Sequence, residues 1–255
     1  SLCAPVPRMV ILPRVPSRFP PTPDRTSAMP SALTVARDYS NPRSLGNRFR
    51  QKRFSMFFDF LRGARAEFGR ELRIVDIGGT ATGWTPVDLD AWERELGTRI
   101  SIQLLNIEES KVPVSGRFSH AKADCSAPVE GVRGDVVFSN SVIEHLGGTW
   151  PALNGFADNC RSLGRYYFVQ TPSFWFPMEP HFLRPFVHYL PRELKVKLLM
   201  KVRNYSIETA FARSNEIFLL DPFYLRRLFP EAQLHRERLA LLTKSYVMTN
   251  FPGGR

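Results

Sequence analysis

The sequence predicts an α/β fold on a largely parallel sheet, and three observations carry that prediction. Short apolar runs rich in β-branched and aromatic residues recur along the chain: RIVDI at 73–77, RISIQLLN at 99–106, DVVFSN at 135–140 and RYYFVQT at 165–171. Segments with helical spacing or a glycine stop separate them, as βαβ units require. The first run ends in Gly78-Gly79. A small-residue turn after a buried strand lets the backbone approach a ligand closely.

Residues 1–40 read as a disordered tail. Eight of the first 30 residues are proline, so neither a helix nor a strand ladder propagates through them. Met29 fits the place of an initiator, which would put residues 1–28 upstream of the natural start. The folded domain is expected over 41–255. It opens with NRFRQKRFSMFFDFLRGARAEFG, where Phe54, Phe57, Phe58, Leu61 and Phe68 fall near helical spacing with Arg and Lys between them. After the glycine turn, DLDAWERELG reads as a helix stopped at Gly97, and GRFSHAKADCS as a further strand. GDVVFSNSVIEHLG reads as a strand running into a helix, TWPALNGFADNCRSLG as helical, and RYYFVQTPS as an apolar strand broken by Pro172. Residues 181–229 read as a mainly helical insertion around amphipathic ELKVKLLMKV, and EAQLHRERLA with LLTKSYVMTNF as two closing strands.

Composition narrows the partners. The net charge of +11 favours an anionic one, whether nucleic acid, an acidic membrane surface or a phosphorylated substrate. The basic residues are dispersed, however, and no aromatic–basic stripe of the kind RNA platforms use is present, which disfavours nucleic acid. Residues 181–255 carry 13 Lys/Arg against 6 Asp/Glu, so a peripheral contact with an anionic membrane is admitted. Cys3, Cys125 and Cys160 form no C-x-x-C pair, which argues against a disulfide framework or zinc site and fits a reducing compartment. No apolar run reaches the length of a membrane span. The expectation is a cytoplasmic protein, with any membrane contact peripheral and on the inner face.

RIVDIGGTATGW, residues 73–84, is a weak motif alone, because Thr80 stands where a G-x-G-x-x-G loop has its second glycine. Two downstream segments give it weight, DVVFSNSVIEHL at 135–146 and FVQTPSFWFPMEPHF at 168–182. With them, the chain over about 48–250 resembles the class I S-adenosylmethionine-dependent methyltransferases. DVVFSNSVIEHL resembles the family's fourth motif in the subgroup with a Glu-His pair after strand four. FVQTPSFWFPMEPHF resembles a run in bacterial members that tailor cell-surface glycans or lipids, with Ser173 in place of the usual Asn.

The resemblance implies a Rossmann-like sheet of seven mostly parallel strands with helices on both faces and an antiparallel C-terminal strand. A helical lid would be inserted between strand five and the last strands. It implies S-adenosylmethionine as cofactor, held at Asp76, Gly78, Gly79 and Thr80. Asn106, where the family has an acidic residue, or Glu108 would reach the ribose, and Asp124 and Cys125 the adenine. Asn140 would lie beside the methyl-donating sulfonium. Related enzymes with an S-E-x-x-E-H box gather a divalent metal; Ser141 replaces the first Glu here, so no metal is expected.

The activity so implied is O-methylation of a small-molecule, glycan or lipid-linked acceptor by in-line displacement. His181 or His145 would serve as the base and Glu179 as its orienting partner. The competing expectation is an inactive methyltransferase-like module that binds RNA or an anionic membrane.

Overall fold

The computed structural model describes residues 44–69, 71–108, 116–179 and 184–252. The tail expected over 1–40, with Met29, lies outside them. Helix α1, Leu45–Gly63, starts where the Ser44 hydroxyl accepts from Asn47 N at 3.0 Å, satisfying one of the free amides of the first turn. Its apolar stripe buries Phe54, Phe57 and Leu61 against the sheet. Phe57 reaches Phe138 and Phe168 with ring centroids 4.8 and 5.2 Å away, and Phe54 stacks on Phe138 at 5.5 Å. Much of the chain's phenylalanine is therefore packing between helix and sheet.

Strands β1 (Glu71–Ile77), β2 (Arg99–Asn106), β3 (Phe118–Lys122), β4 (Val136–Asn140) and β5 (Tyr166–Pro172) are parallel. β4 and β5 are buried almost throughout, as central strands covered on both faces must be. A two-residue hairpin, β6 (Met178–Glu179) and β7 (Arg184–Pro185), stands apart from the sheet. β8 (Gln233–Leu239) and β9 (Leu242–Thr249) close the chain, β9 running antiparallel to both β5 and β8. The sheet order is β3-β2-β1-β4-β5-β9-β8. That is the Rossmann-like seven-stranded arrangement expected from the sequence. The outer strand β8 carries a register shift between Glu237 and Arg238 and a charged sequence, both of which blunt an open edge.

Helix α2 (Leu89–Leu96) is capped by Asp88, whose Oδ1 accepts from Ala91 N at 2.9 Å, and ends at Gly97 with φ of 60°. Together with α1 it covers one face. On the other, α3 (Trp150–Ser162) and α6 (Pro222–Leu228) pack Leu153, Phe156, Leu225 and Leu228 against Val75, Val137 and Tyr167. Between them α4 (Arg192–Arg203) and α5 (Ile207–Glu216) form a hairpin with its own small core of Val187, Val196, Leu199 and Ala210. The helical segment read over 181–229 thus divides: α6 belongs to the main core, and α4 and α5 form the separate part. No helix among the described residues is long and apolar enough to cross a membrane.

One expectation is corrected. β4 does not run into a helix at the Glu-His pair. Ser141 takes a left-handed φ of 59°, only a single 3₁₀ turn forms at Ile143–His145, and Gly147 and Gly148 end it at φ of 74° and 65°. α3 begins only at Trp150, because three left-handed residues around so short a turn cannot propagate a right-handed helix.

Phe57 has no solvent exposure. Phe57→Ala should destabilise the domain by about 3–5 kcal/mol through the cavity it leaves, measured by urea unfolding followed by circular dichroism.

Candidate functional site

The strand order reverses between β1 and β4, since the chain builds outward to β3 and then returns to the other side of β1. In open α/β sheets, ligands occupy the crevice beyond the carboxyl ends of the strands at such a switch point. The Gly78-Gly79 turn sits there. Gly78 has φ of 74° and donates to Leu105 O at 2.7 Å, carrying the β1–β2 ladder one step past the strand. A Cβ at Gly78 would lie 2.5 Å from Val142 Cγ2 and one at Gly79 only 1.7 Å from Asp76 Oδ2, so the turn admits no side chain at either position.

Asp76 is placed beneath this turn rather than on the crevice surface. It is 3% exposed, and Trp84 Nε1 donates to its Oδ2 at 2.8 Å. Burial pushes its carboxyl up from 3.8 to about 7, opposed by the Trp84 hydrogen bond and the charge of Arg50. Thr80 is exposed, its hydroxyl 3.0 Å from that of Thr82. At the end of β2, Asn106 points its Nδ2 to Gly79 O at 3.5 Å, and Ile107 and Glu108 are exposed beside it. Beyond β3, Asp124 Oδ1 accepts from Ser126 N at 3.0 Å and from Ser126 Oγ at 2.6 Å. Cys125 is buried, its thiol pushed up to about 11 by burial and the neighbouring Asp124, and Asn159 Nδ2 holds its carbonyl at 3.0 Å.

At the end of β4, Asn140 Oδ1 accepts from Arg53 Nη1, which also donates to Gln170 Oε1 at 3.1 Å. Ser141 Oγ donates to the same Gln170 oxygen at 2.9 Å. The two halves of the Glu-His pair part company. Glu144 is fully buried, with Thr171 Oγ1 donating to its Oε2 at 2.9 Å, whereas His145 is exposed. Glu179 is described by its backbone alone, opposite Arg184 in the β6–β7 hairpin, and His181 lies outside the described residues.

The structure therefore brings Asp76, Gly78, Gly79 and Asn106 together, with Asn140 on the adjoining strand end. Asp124 and Cys125 occupy the loop after β3. Sequence reasoning missed Trp84, Arg50, Arg53, Ile107 and Gln170. A signal for the arginines was present: Arg50, Arg53, Phe54 and Phe57 share one helical face, which puts two cations at the end of an apolar stripe. For Gln170, the cue was an amide next to Thr171 in an otherwise apolar run.

No protein-family model matches the chain, and no curated protein sequence does. Solved structures do. The CMeT domain of the citrinin polyketide synthase is 8% identical over 70% of this chain and 46% of its own, with a TM-score of 0.43. LepI in complex with SAM is 9% identical over 74% and 45%, at 0.44. The methyltransferase domain of bacterial CtHen1 is 11% identical over 78% and 97%, at 0.46. The chain spans less than half the length of the first two.

The proton on Asp76 sets a pH dependence. Its pKa is raised on folding, so its stabilising contribution is full below 3.8 and is lost as pH rises through about 7. Asp76→Asn keeps an oxygen for Trp84 and removes that loss. Urea titrations across this window should show the variant gaining on the parent with rising pH, by on the order of 4 kcal/mol at the upper end.

Proposed function

We propose that this chain is an S-adenosylmethionine-dependent methyltransferase acting on a hydroxyl of a small-molecule, glycan or lipid-linked acceptor. The observation that carries the reading is the side-chain-free Gly78-Gly79 turn at the β1–β4 switch point, with Asn106 at the adjoining strand end. The residues present fit a nucleoside cofactor. The turn offers backbone to the amino-acid part, and Asn106 with exposed Glu108 offers hydrogen-bonding groups to a ribose. Ile107, 56% exposed between them, supplies an apolar surface for a flat base. Asp124 supplies an acceptor for an exocyclic amine.

Bound there, the cofactor supplies a methyl group already activated by its sulfonium. What remains for the protein is to align the acceptor, exclude water and remove the hydroxyl proton. Arg53, Gln170 and Ser141 hold the β4 and β5 ends in one geometry. The left-handed Ser141 backbone is a constraint that such a hydrogen-bonded frame sustains. Buried Glu144 ties the same turn to β5 and is assigned a structural role. Proton removal falls to His145, exposed on that turn, or to His181, with Glu179 orienting it.

Two experiments test this reading. Calorimetric titration with S-adenosylhomocysteine should show one site per chain, and Asn106→Ala should weaken it by about tenfold, the loss of one good hydrogen bond. No detectable binding would leave the inactive module as the better account. Once mass-spectrometric screening has found an acceptor, His145→Ala or His181→Ala should lower turnover by at least about tenfold. If neither does, the base lies elsewhere.

A further inference from the structure

Beyond the β5 end lies a polar cluster that the cofactor turn does not use. Arg53 of α1, Glu237 of β8 and Lys244 of β9 converge where Pro172, Ser245 and Glu237 pair across the sheet. Arg53 Nε lies 3.5 Å and Lys244 Nζ 3.9 Å from Glu237 Oε2, which also accepts from Ser245 Oγ. Side-chain exposure is 11% for Arg53, 6% for Glu237 and 24% for Lys244. Two cations share one carboxylate, and both are largely removed from water. Glu237 Oε1 is buried with no hydrogen-bond partner, and so is Arg53 Nε.

We propose that this cluster is the acceptor-anchoring subsite, taking an oxyanion that also carries an O–H group, such as a hydroxycarboxylate or a hydrogen phosphate. The inference rests on the methyltransferase reading for the word acceptor, while the anion binding is argued from the charge cluster itself. An anionic oxygen entering beside Lys244, the most exposed member, offsets the surplus positive charge of the Arg53–Lys244 pair. Glu237 Oε1 is sealed from solvent, so the accompanying O–H supplies its missing donor as the carboxylate turns toward the entering group. That rotation is favoured because a buried carboxylate oxygen left unmatched costs free energy. Burial first, then the neighbouring Arg53, pulls the Lys244 ammonium down to about 8, with Glu237 opposing, so a further anion beside it would favour the charged form. Lys244 Nζ also stands 3.5 Å over the Phe49 ring, which keeps it aimed along the α1 side of the cluster.

Position supports the assignment. Ser173 N donates to Lys244 O at 2.9 Å, so Lys244 borders the loop that leaves β5. Arg53 spans from the cluster to Asn140 at the β4 end. One side chain thus touches both the proposed methyl-transfer side and the anchoring side.

The test is calorimetric titration of the full chain, saturated with S-adenosylhomocysteine, with inorganic phosphate, glycolate, acetate and chloride at matched ionic strength. Phosphate or glycolate should bind at one site per chain, more tightly than acetate, which lacks the O–H, and with chloride silent. Whichever binds better names the source of the oxyanion. Lys244→Met should weaken that binding by at least about tenfold, and Lys244→Arg should restore most of it, with cofactor-analogue affinity unchanged in both. Binding no tighter than chloride for phosphate and glycolate alike overturns the proposal, as does a folded Lys244→Met that binds them like the parent. Should that variant not fold, the parent's own titration decides. If the oxyanion binds and S-adenosylhomocysteine does not, the subsite stands and the methyltransferase reading falls.

Discussion

The glycine turn at the carboxyl edge of this sheet depends on a carboxyl group buried beneath it. Asp76 is almost wholly shielded from water, and its oxygens fill the space a side chain at Gly79 would need. The group is held by an indole N–H from Trp84 and the charge of Arg50. These contacts tie the turn itself and the 3₁₀ segment Ala81–Trp84 to the central strand. Trp84 in turn packs its ring against Phe54, 5.1 Å away, and Phe138, 5.2 Å away. The polar anchor and the aromatic core are therefore one structure, and the turn's shape is set from below before any ligand meets it. Preorganisation of this kind is what a site must have if binding energy is not to be spent on ordering the loop.

The neighbouring strand ends are held by a second, largely neutral frame. Gln170 is buried in β5, and its one oxygen takes bonds from Arg53 and from Ser141. That pair of bonds reaches from a helix before β1 to the turn after β4. It explains how a serine is kept at positive φ, a conformation that otherwise drifts back to the right-handed region. Low dielectric strengthens each of these bonds and also makes any one of them costly to lose.

Legibility in the sequence follows the range of the interaction. The parallel sheet, the glycine turn, α2 with its Asp88 cap and Gly97 stop, and the two closing strands all rest on local patterns and are readable from them. So is the apolar face of α1, from Phe54, Phe57 and Leu61. The helix expected at Glu144-His145 fails because Ser141 is left-handed for a reason, Gln170, lying 29 positions away. Arg53 reads as part of a solvated basic face because its partners, Asn140, Gln170 and Glu237, lie on strands far along the chain. Dispersed charge in a sequence says little about which cations a fold gathers. Asp76 reads as a ligand-facing acid, and only the positions of Gly79 and Trp84 place it underneath.

The two sides of the crevice differ in how firmly they are built, and that difference bears on specificity. Around the Gly78-Gly79 turn, β1, β2 and β4 are central strands with both large cores behind them. Beyond β5, the core of the α4–α5 hairpin has, among the described residues, four buried side chains, Val187, Val196, Leu199 and Ala210. Such a unit is too small to hold its shape alone. It is held by the stitching of its two roots: Ser173 bridges Leu220, Phe174 N donates to Leu220 O at 3.2 Å, and Phe218 N donates to Glu144 O at 2.8 Å. The last of these joins the root directly to the turn that carries His145. Order in the hairpin is thus conditional on order at the β4 and β5 ends, and the coupling runs both ways. Under the proposed methyltransferase reading, a marginal element so rooted is the part of the crevice where variation in the acceptor is accommodated, while the turn over Asp76 draws its support from β1, Trp84 and the large cores.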